Sequence, residues 1–132
     1  MTLVELLVVV MIVGILAAMA IPRYASSREK AFFTAMKSDL KNLVAAQEIY
    51  STANYSQYAG AAGSDLSGGV AGLEFTPSHG VSVTLREVAQ SGWSADATNS
   101  ALRASQKCAV FMGGATALAP AQTPGLVTCT GE

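Results

Sequence analysis

The first 22 residues form an almost unbroken apolar run. No polar side chain occurs from residue 6 to residue 21, and Glu5 carries the only charge in the first 22 residues. As a helix that rises about 1.5 Å per residue, Met1 to Ile21 would span about 31 Å, which matches the hydrocarbon core of a bilayer. The pattern therefore predicts a membrane-spanning helix over residues 1–22.

Three interpretations of this run are open. The small residues Ala18-Met19-Ala20 suggest a cleaved signal peptide, but the run is too long and lacks a basic segment before it. A plain membrane anchor explains the length but not Glu5, because a carboxylate in a spanning segment is costly unless it is paired. The nearest available positive charge is an α-amino group at residue 1, of the same chain or of a neighbour. The third interpretation is thus an anchor that also serves as an assembly interface.

Gly14 and Pro22 are two residues of the apolar helix that are unfavourable in a helix interior. Glycine weakens a helix interior and allows close approach of another helix, and proline removes a backbone donor and clashes with the preceding turn. We expect the stretch between them to be where a kink or local melting occurs, although simple membrane helices tolerate both residues.

From Arg23 the pattern becomes amphipathic, with apolar residues spaced by three and four. These positions are Phe33, Met36, Leu40, Leu43, Val44 and Tyr50, whereas Lys37, Asp39, Lys41 and Glu48 fall largely on other faces. Nothing breaks this spacing before about Ala53, so it predicts one helix of about 50 residues. Residues 23–53 would form a stalk that covers a sheet; an independent coiled coil is the alternative.

Residues 54–132 are predicted to form a β-rich head. The segment 54–79 is rich in Gly, Ser and Ala, which predicts a long connecting loop with one short helix or turn. The strand candidates that follow are 81–87, 93–98, 107–112 and 126–130, and the first alternates with Val81, Val83 and Leu85 on one face. The predicted fold class is α+β, a long helix packed on a four-stranded antiparallel sheet.

Charge and cysteine content narrow the function classes. The 132 residues carry a formal net charge of −1, which does not indicate a nucleic-acid-binding protein. Residues 23–53 carry a net positive charge and residues 54–132 a net negative charge. The stalk of one copy could therefore attract the head of another; the alternative is that both surfaces are solvated. Cys108 and Cys129, in a head outside the cytoplasm, predict a disulfide that closes about 20 residues and contributes ~3 kcal/mol. Two free buried thiols are the alternative.

The N-terminus resembles the mature N-terminus of type IV pilins and type II secretion pseudopilins. It reads Met1-Thr2-Leu3-Val4-Glu5-Leu6-Leu7-Val8-Val9-Val10 and continues through Gly14-Ile15-Leu16-Ala17-Ala18 to Ile21-Pro22. The motif is a threonine, then a lone glutamate at position 5, within an apolar run that ends near a proline. The resemblance is strong over residues 1–22 and extends to about residue 53 by pattern. Residues 54–132 resemble the family only in the order of their elements, which is a loop, a four-stranded antiparallel sheet and a C-terminal cysteine pair.

This resemblance implies an assembly mechanism. A prepilin peptidase would remove a short basic leader, and Met1 would become an N-methylated terminus. Because the family usually has phenylalanine there, Met1 is either the mature terminus or an initiator. Glu5 would pair with a neighbour's terminal amine during docking, and the segment from Gly14 to Pro22 would lose helical order in the filament.

The resemblance further implies a homo-oligomeric helical filament. The subunit would be stored in the inner membrane, and inner-membrane assembly machinery with a cytoplasmic ATPase would extrude it onto the cell surface as an extracellular pilus. Such fibres support adhesion, twitching motility or DNA uptake, and nucleic acid would be contacted only through the assembled filament. A type II secretion pseudopilin is the alternative within the family, and a non-polymerising anchored envelope protein is the alternative outside it.

An enzymatic role is not expected. His79 lies in a Pro-Ser-His-Gly loop without a motif partner, and two cysteines twenty-one positions apart do not make a zinc site. We expect no metal and no cofactor. The aromatic residues of the helix and loop could be described as an electron-transfer path, but packing and surface roles explain them better.

Overall fold

The structure is a computed structural model that describes residues 2–132. Helix α1 runs over Leu3–Ala53, a 3-10 turn over Leu66–Gly68, and the four strands are β1 (Val81–Ala89), β2 (Gly92–Asn99), β3 (Lys107–Gly113) and β4 (Thr128–Cys129). All neighbouring strands pair antiparallel in the order β1-β2-β3-β4. The predicted α+β fold class is confirmed.

The chain divides into two compact units, between Ala31 and Phe32. This division falls inside the predicted stalk of residues 23–53. Helix α1 has 51 residues and contains Pro22 in its interior, so the predicted single helix of about 50 residues is confirmed. The stretch from Gly14 to Pro22 is helical throughout in this isolated chain.

In the second unit, residues 32–53 of α1 pack on one face of the sheet. Met36, Leu40 and Leu43 are fully buried there, and the other apolar positions of the predicted stripe are half-buried, as their spacing of three and four requires. The facing residues of the sheet are Val81, Val83, Leu85, Trp93, Ala95, Ala97, Cys108 and Val110. The prediction that Asp39 lies on another face is wrong, because its side chain is buried beside Met36 and Leu40.

Strand β2 contains the predicted strand at 93–98, and its apolar residues Trp93, Ala95 and Ala97 all face α1. All residues from Gly92 to Ala97 are buried because β2 is an interior strand that is covered on both faces. Helix α1 covers one face. On the other, Asp96 of β2 accepts from Arg86 of β1 and pairs with Lys107 of β3. On the same face, Ala109 and Phe111 of β3 pack with Ala115, Leu118 and Ala121 from the segment after β3.

Strands β1 and β3 each have a further segment beside part of their outer edge. Loop residues run beside β1, where the Gly63 N–H donates to Leu85 O (2.7 Å) and the Leu85 N–H donates to Ser64 O (2.9 Å). Beyond β3 lies β4, which is shorter than the predicted 126–130, and the Gly125 N–H donates to Phe111 O (2.8 Å). Unpaired strand edges promote aggregation, and these contacts shorten the length of β1 and β3 that is open to backbone pairing.

Candidate assembly site

The N-terminal unit is an exposed apolar helix. Its large apolar side chains from Leu3 to Ile21 are each more than half exposed. The helix is long and apolar enough to cross a membrane, as judged from length and composition. Since an apolar surface of this extent is rare on a soluble monomer, a membrane or other protein surfaces must cover it.

The helix begins with a capping box formed by Thr2 and Glu5. The Glu5 N–H donates to Thr2 Oγ1 (3.3 Å) and the Thr2 N–H donates to Glu5 Oε2 (2.7 Å). The Thr2 hydroxyl also donates to Glu5 Oε2 (3.0 Å). These reciprocal bonds satisfy N–H groups that have no partner within the helix, and the carboxylate sits at the positive end of the helix dipole. Glu5 is therefore partly satisfied by its own chain.

Sequence reasoning missed this cap, although a Thr-x-x-Glu pattern before an apolar run is a recognised signal for it. The interpretation from sequence gave Glu5 only an α-amino group as its partner. Met1, the proposed N-methylated terminus, lies outside the residues that the structure describes. Whether a terminal amine approaches Glu5 in an assembly stays a prediction.

Glu5, Gly14 and Pro22 do not share one face of the helix. At about 100° per residue, Gly14 lies about 180° around the helix from Glu5, and Pro22 lies about 80° beyond Gly14. The site of an added Cβ at Gly14 has no atom within 4 Å. The three residues are thus placed to contact different neighbours in a bundle, with Gly14 open to close approach by another helix.

In the second unit, Cys108 and Cys129 form a disulfide. They lie opposite each other in the β3–β4 pair, and both are buried. The C-terminal residue secures the same segment, since Lys37 on α1 donates to Glu132 Oε1 and the Cys129 N–H donates to Glu132 Oε2 (3.2 Å). The bond from Lys37, followed by the bond from Cys129, lowers the pKa of the Glu132 carboxyl.

Two buried polar side chains of α1 hold the long loop between α1 and β1. Near the start of the loop, Gln47 Nε2 donates to Ala59 O (3.0 Å) and the Ala59 N–H donates to Gln47 Oε1 (2.8 Å). Near its end, Asp39 accepts from both the N–H and the hydroxyl of Ser78, at 2.8 Å each. The spacing gave a signal for Gln47, which lies four residues after Leu43 on the buried face.

The outer face of the sheet carries one buried carboxylate between two cations. Arg86 donates to Asp96 through Nε (2.8 Å) and Nη2 (3.0 Å), and Lys107 Nζ lies 3.7 Å from Asp96 Oδ2. The bonds to Asp96 raise the pKa of the Arg86 guanidinium. Within residues 2–132, no cluster of three or more His, Cys, Asp and Glu side chains could hold a metal ion. His79 lies in the loop before β1.

Comparison with known proteins gives a partial match. The type II secretion system core protein G of Pseudomonas aeruginosa is 43% identical over 54 residues, which are 41% of this chain and 38% of that protein. That protein is a pseudopilin of the type IV pilin family. The match confirms the resemblance to the type IV pilin and pseudopilin family. No protein-family model and no solved structure matches the chain.

The match covers less than half of the length of that relative. The conclusion that the chain is pilin-like therefore rests on two findings. One is the partial identity, and the other is a long apolar helix followed by a four-stranded antiparallel sheet. Both support a pilin-like structural subunit with an apolar N-terminal helix.

Proposed function

We propose that this chain is a structural subunit that is stored in the inner membrane and polymerises through residues 1–22 into a type IV pilus on the bacterial surface. The observation that carries the proposal is the exposed apolar helix with Glu5 in its first turn. The same surface suits lipid before assembly and neighbouring helices afterwards. The chain would act without catalysis, metal or cofactor.

Processing and assembly by other proteins belong to this proposal. A prepilin peptidase would generate the terminus at Met1, which would be N-methylated, and the pilus assembly machinery of the inner membrane would supply the energy. The filament would serve adhesion, twitching motility or DNA uptake. The disulfide suits a head exposed to the outside of the cell.

The second candidate is a pseudopilin of a type II secretion system. It is favoured by the identity to core protein G of such a system. The two candidates share the assembly helix and differ in the location of the fibre. Intact mass spectrometry of material sheared from cells separates them. A major pilin dominates that fraction at the mass of residues 1–132 plus one methyl group and minus two hydrogens, whereas a pseudopilin remains in the inner membrane.

The role of Glu5 in assembly can be separated from its role as a helix cap. Glu5→Gln keeps an oxygen that accepts from the Thr2 N–H but removes the charge, whereas Thr2→Val removes the hydroxyl of the cap and keeps the charge. We expect Glu5→Gln and Glu5→Val to cripple fibre formation, because both lose the charge that pairs with a neighbour's amine. Thr2→Val should assemble, since a lost cap costs only about 1 kcal/mol.

The readout is the amount of chain in the sheared fraction relative to the membrane fraction, measured by immunoblot. Normal fibres from Glu5→Gln cells, together with failure of Thr2→Val, would assign Glu5 to capping alone. Normal fibres from all three variants would remove Glu5 from the assembly mechanism.

A further inference from the structure

A groove lies between the second half of α1 and the loop that precedes β1. It has a volume of about 490 Å³, which is within the range of pockets that hold small molecules. Its walls are formed by Ala45, Ala46, Ile49 and Tyr50 of α1 together with Gly72 and Glu74 of the loop. The side chain of Ile49 is 71% exposed, so the groove presents apolar surface that the chain itself does not cover.

The chemistry of the groove suits a long cationic side chain. Glu74 is exposed and is the only charged residue of the lining, and none of the ion pairs among residues 2–132 involves it. The ring of Tyr50 lies against Gly72, where an added Cβ would be 3.1 Å from Tyr50 Cε2. An arginine side chain buries its stem on apolar surface and brings its charged end to a carboxylate or an aromatic ring.

The turn between β2 and β3 carries a side chain of this kind. Arg103 is exposed and takes part in none of the ion pairs among the described residues. Its neighbours Ala101, Ala104 and Ser105 are small, so no bulky side chain next to it in sequence shields it. The Arg103 N–H donates to Gln106 Oε1 (3.1 Å) and the Gln106 N–H donates to Arg103 O (2.8 Å). These bonds fix the backbone of the turn, which lowers the entropy lost on binding.

The turn and the groove lie at different heights along α1. The Ser100 N–H donates to Gly80 O (3.0 Å), and Ser78, two residues before Gly80, is bonded to Asp39 of α1. The groove is centred near Ala46, about 10 Å further along the helix. A contact between turn and groove therefore joins two different surfaces and offsets one copy along the helix axis. Contacts of this type build open arrays when the rotation between copies does not close a ring.

We propose that Arg103 of one copy inserts into the groove of a second copy and pairs with Glu74. This contact between heads acts in addition to the contact made by residues 1–22. The inference rests on the proposed filament, which holds many copies at high effective concentration. The contact would cover Ile49 and use an arginine and a tyrosine, two residue types that dominate the binding energy of protein interfaces.

Cysteine cross-linking in cells that express the full chain tests the contact. Ala45→Cys in the groove and Ala104→Cys beside Arg103 are combined in one chain, and both positions are exposed. The native cysteines form a disulfide and leave no free thiol among the described residues. After mild oxidation, non-reducing electrophoresis of the sheared and membrane fractions should show a ladder of dimers, trimers and longer species, because each copy uses both surfaces.

The controls are the two single-cysteine variants and the pair Ala104→Cys/Ala117→Cys. Ala117 is an exposed alanine that does not line the groove, so this pair should give no ladder. The single variants should stay monomeric. Dimers of a single variant at the yield of the double variant would indicate contact between identical surfaces and overturn the proposal.

Charge reversal in the double-cysteine chain tests the ion pair. Arg103→Glu and Glu74→Arg should each reduce the ladder about fivefold, the upper range for an exposed ion pair. The exchanged pair Arg103→Glu/Glu74→Arg should restore it. Lys41→Glu is the matched control, because Lys41 is also exposed and outside the ion pairs of the described chain, and it should leave the ladder unchanged. An equal loss with Lys41→Glu, or no recovery in the exchanged pair, would contradict the pairing.

The head contact and the filament proposal fail in different ways. Chain in the sheared fraction without a ladder overturns the head contact and leaves the filament standing. A ladder confined to the membrane fraction keeps the contact and overturns the surface pilus. The absence of both the sheared chain and the ladder overturns both proposals.

Discussion

Gln47 is a buried amide that binds both backbone groups of Ala59. This residue and Asp39 bond to the two ends of the loop, whose middle contributes Leu66, Leu73 and Phe75 to the core. A buried polar side chain needs such partners because water cannot reach it. At the scale of single residues, the head is therefore held by polar contacts from α1 as well as by its apolar core.

We expect Gln47→Ala to lower the free energy of unfolding by about 1–3 kcal/mol, since the N–H and C=O of Ala59 lose their partner. The measurement is denaturant unfolding in detergent, followed by the fluorescence of Trp93, the single tryptophan, which is fully buried. The matched control is Asn42→Ala at an exposed position of the same helix, with an expected effect within about 0.5 kcal/mol. Equal effects of both substitutions would contradict the anchoring role.

Glu132 predicts an acid-sensitive contribution to stability. Its pKa is lowered in the folded chain from an ordinary value of 4.5, mainly by Lys37 and then by the Cys129 N–H. The carboxylate therefore stabilises the fold above pH 4.5, and this contribution disappears as the pH falls through the lowered folded pKa. Since both partners are partly exposed, the contribution is at most about 1 kcal/mol.

The check is unfolding of the wild type and Glu132→Gln between pH 7 and pH 3. The wild type should be slightly more stable at neutral pH, and the two curves should converge in acid. Glu48→Gln, at an exposed position of α1, is the control and should follow the wild type throughout. A difference between wild type and Glu132→Gln that persists in acid would contradict the assignment.

At the scale of elements, the turn between β1 and β2 packs closely against the end of β3. The Gly114 N–H donates to Ser91 O (2.8 Å), and Gly113 adopts a positive φ of 61°. A Cβ added at Gly92 would lie 2.1 Å from Met112 O. Because these neighbours are backbone atoms, they cannot move aside independently.

Gly92→Ala should therefore destabilise the head by about 1–3 kcal/mol, the usual cost of forcing extra atoms into a packed site. Gly68→Ala is the control, because an added Cβ at Gly68 has no atom within 4 Å. Thermal unfolding of both variants measures the difference. Equal midpoints for Gly92→Ala and wild type would show that the turn can relax.

Features that depend on the sequence of one segment were predictable, whereas features that depend on neighbouring elements were not. Strand β1 follows its alternation, with Val81, Val83 and Leu85 buried, because period-two spacing is a property of the segment itself. Strand β2 is buried on both faces, and that depends on its interior position in the sheet. The bulge between Leu85 and Glu87, which accompanies the Arg86–Asp96 contact, gives no signal in the sequence.

At the scale of the whole molecule, the apolar core lies within residues 32–132. Among residues 2–132, every buried residue belongs to this unit, and most large exposed apolar side chains belong to residues 3–24. The two units therefore have different requirements: the first needs lipid or other helices around it, and the second has its own core.

A chain truncated before Phe32 should fold as a soluble domain. We expect cooperative unfolding and a buried-tryptophan emission spectrum from Trp93, because all of its core contacts remain. The full chain should require detergent under the same conditions. A truncated chain that aggregates or lacks cooperative unfolding would show that the head depends on the N-terminal segment.

The sequence by itself determined the apolar helix, the amphipathic stretch after it and the positions of the strands along the chain, because hydrophobic periodicity is local and acts before distant contacts form. It also determined the candidate role of Glu5, whose charge within an apolar run stands out without any structure. Only the tertiary structure decided which polar residues are buried. Asp39 and Gln47 became internal because the loop supplies their hydrogen-bond partners, and Asp96 of β2 became internal because it pairs with Arg86 and Lys107 of the neighbouring strands.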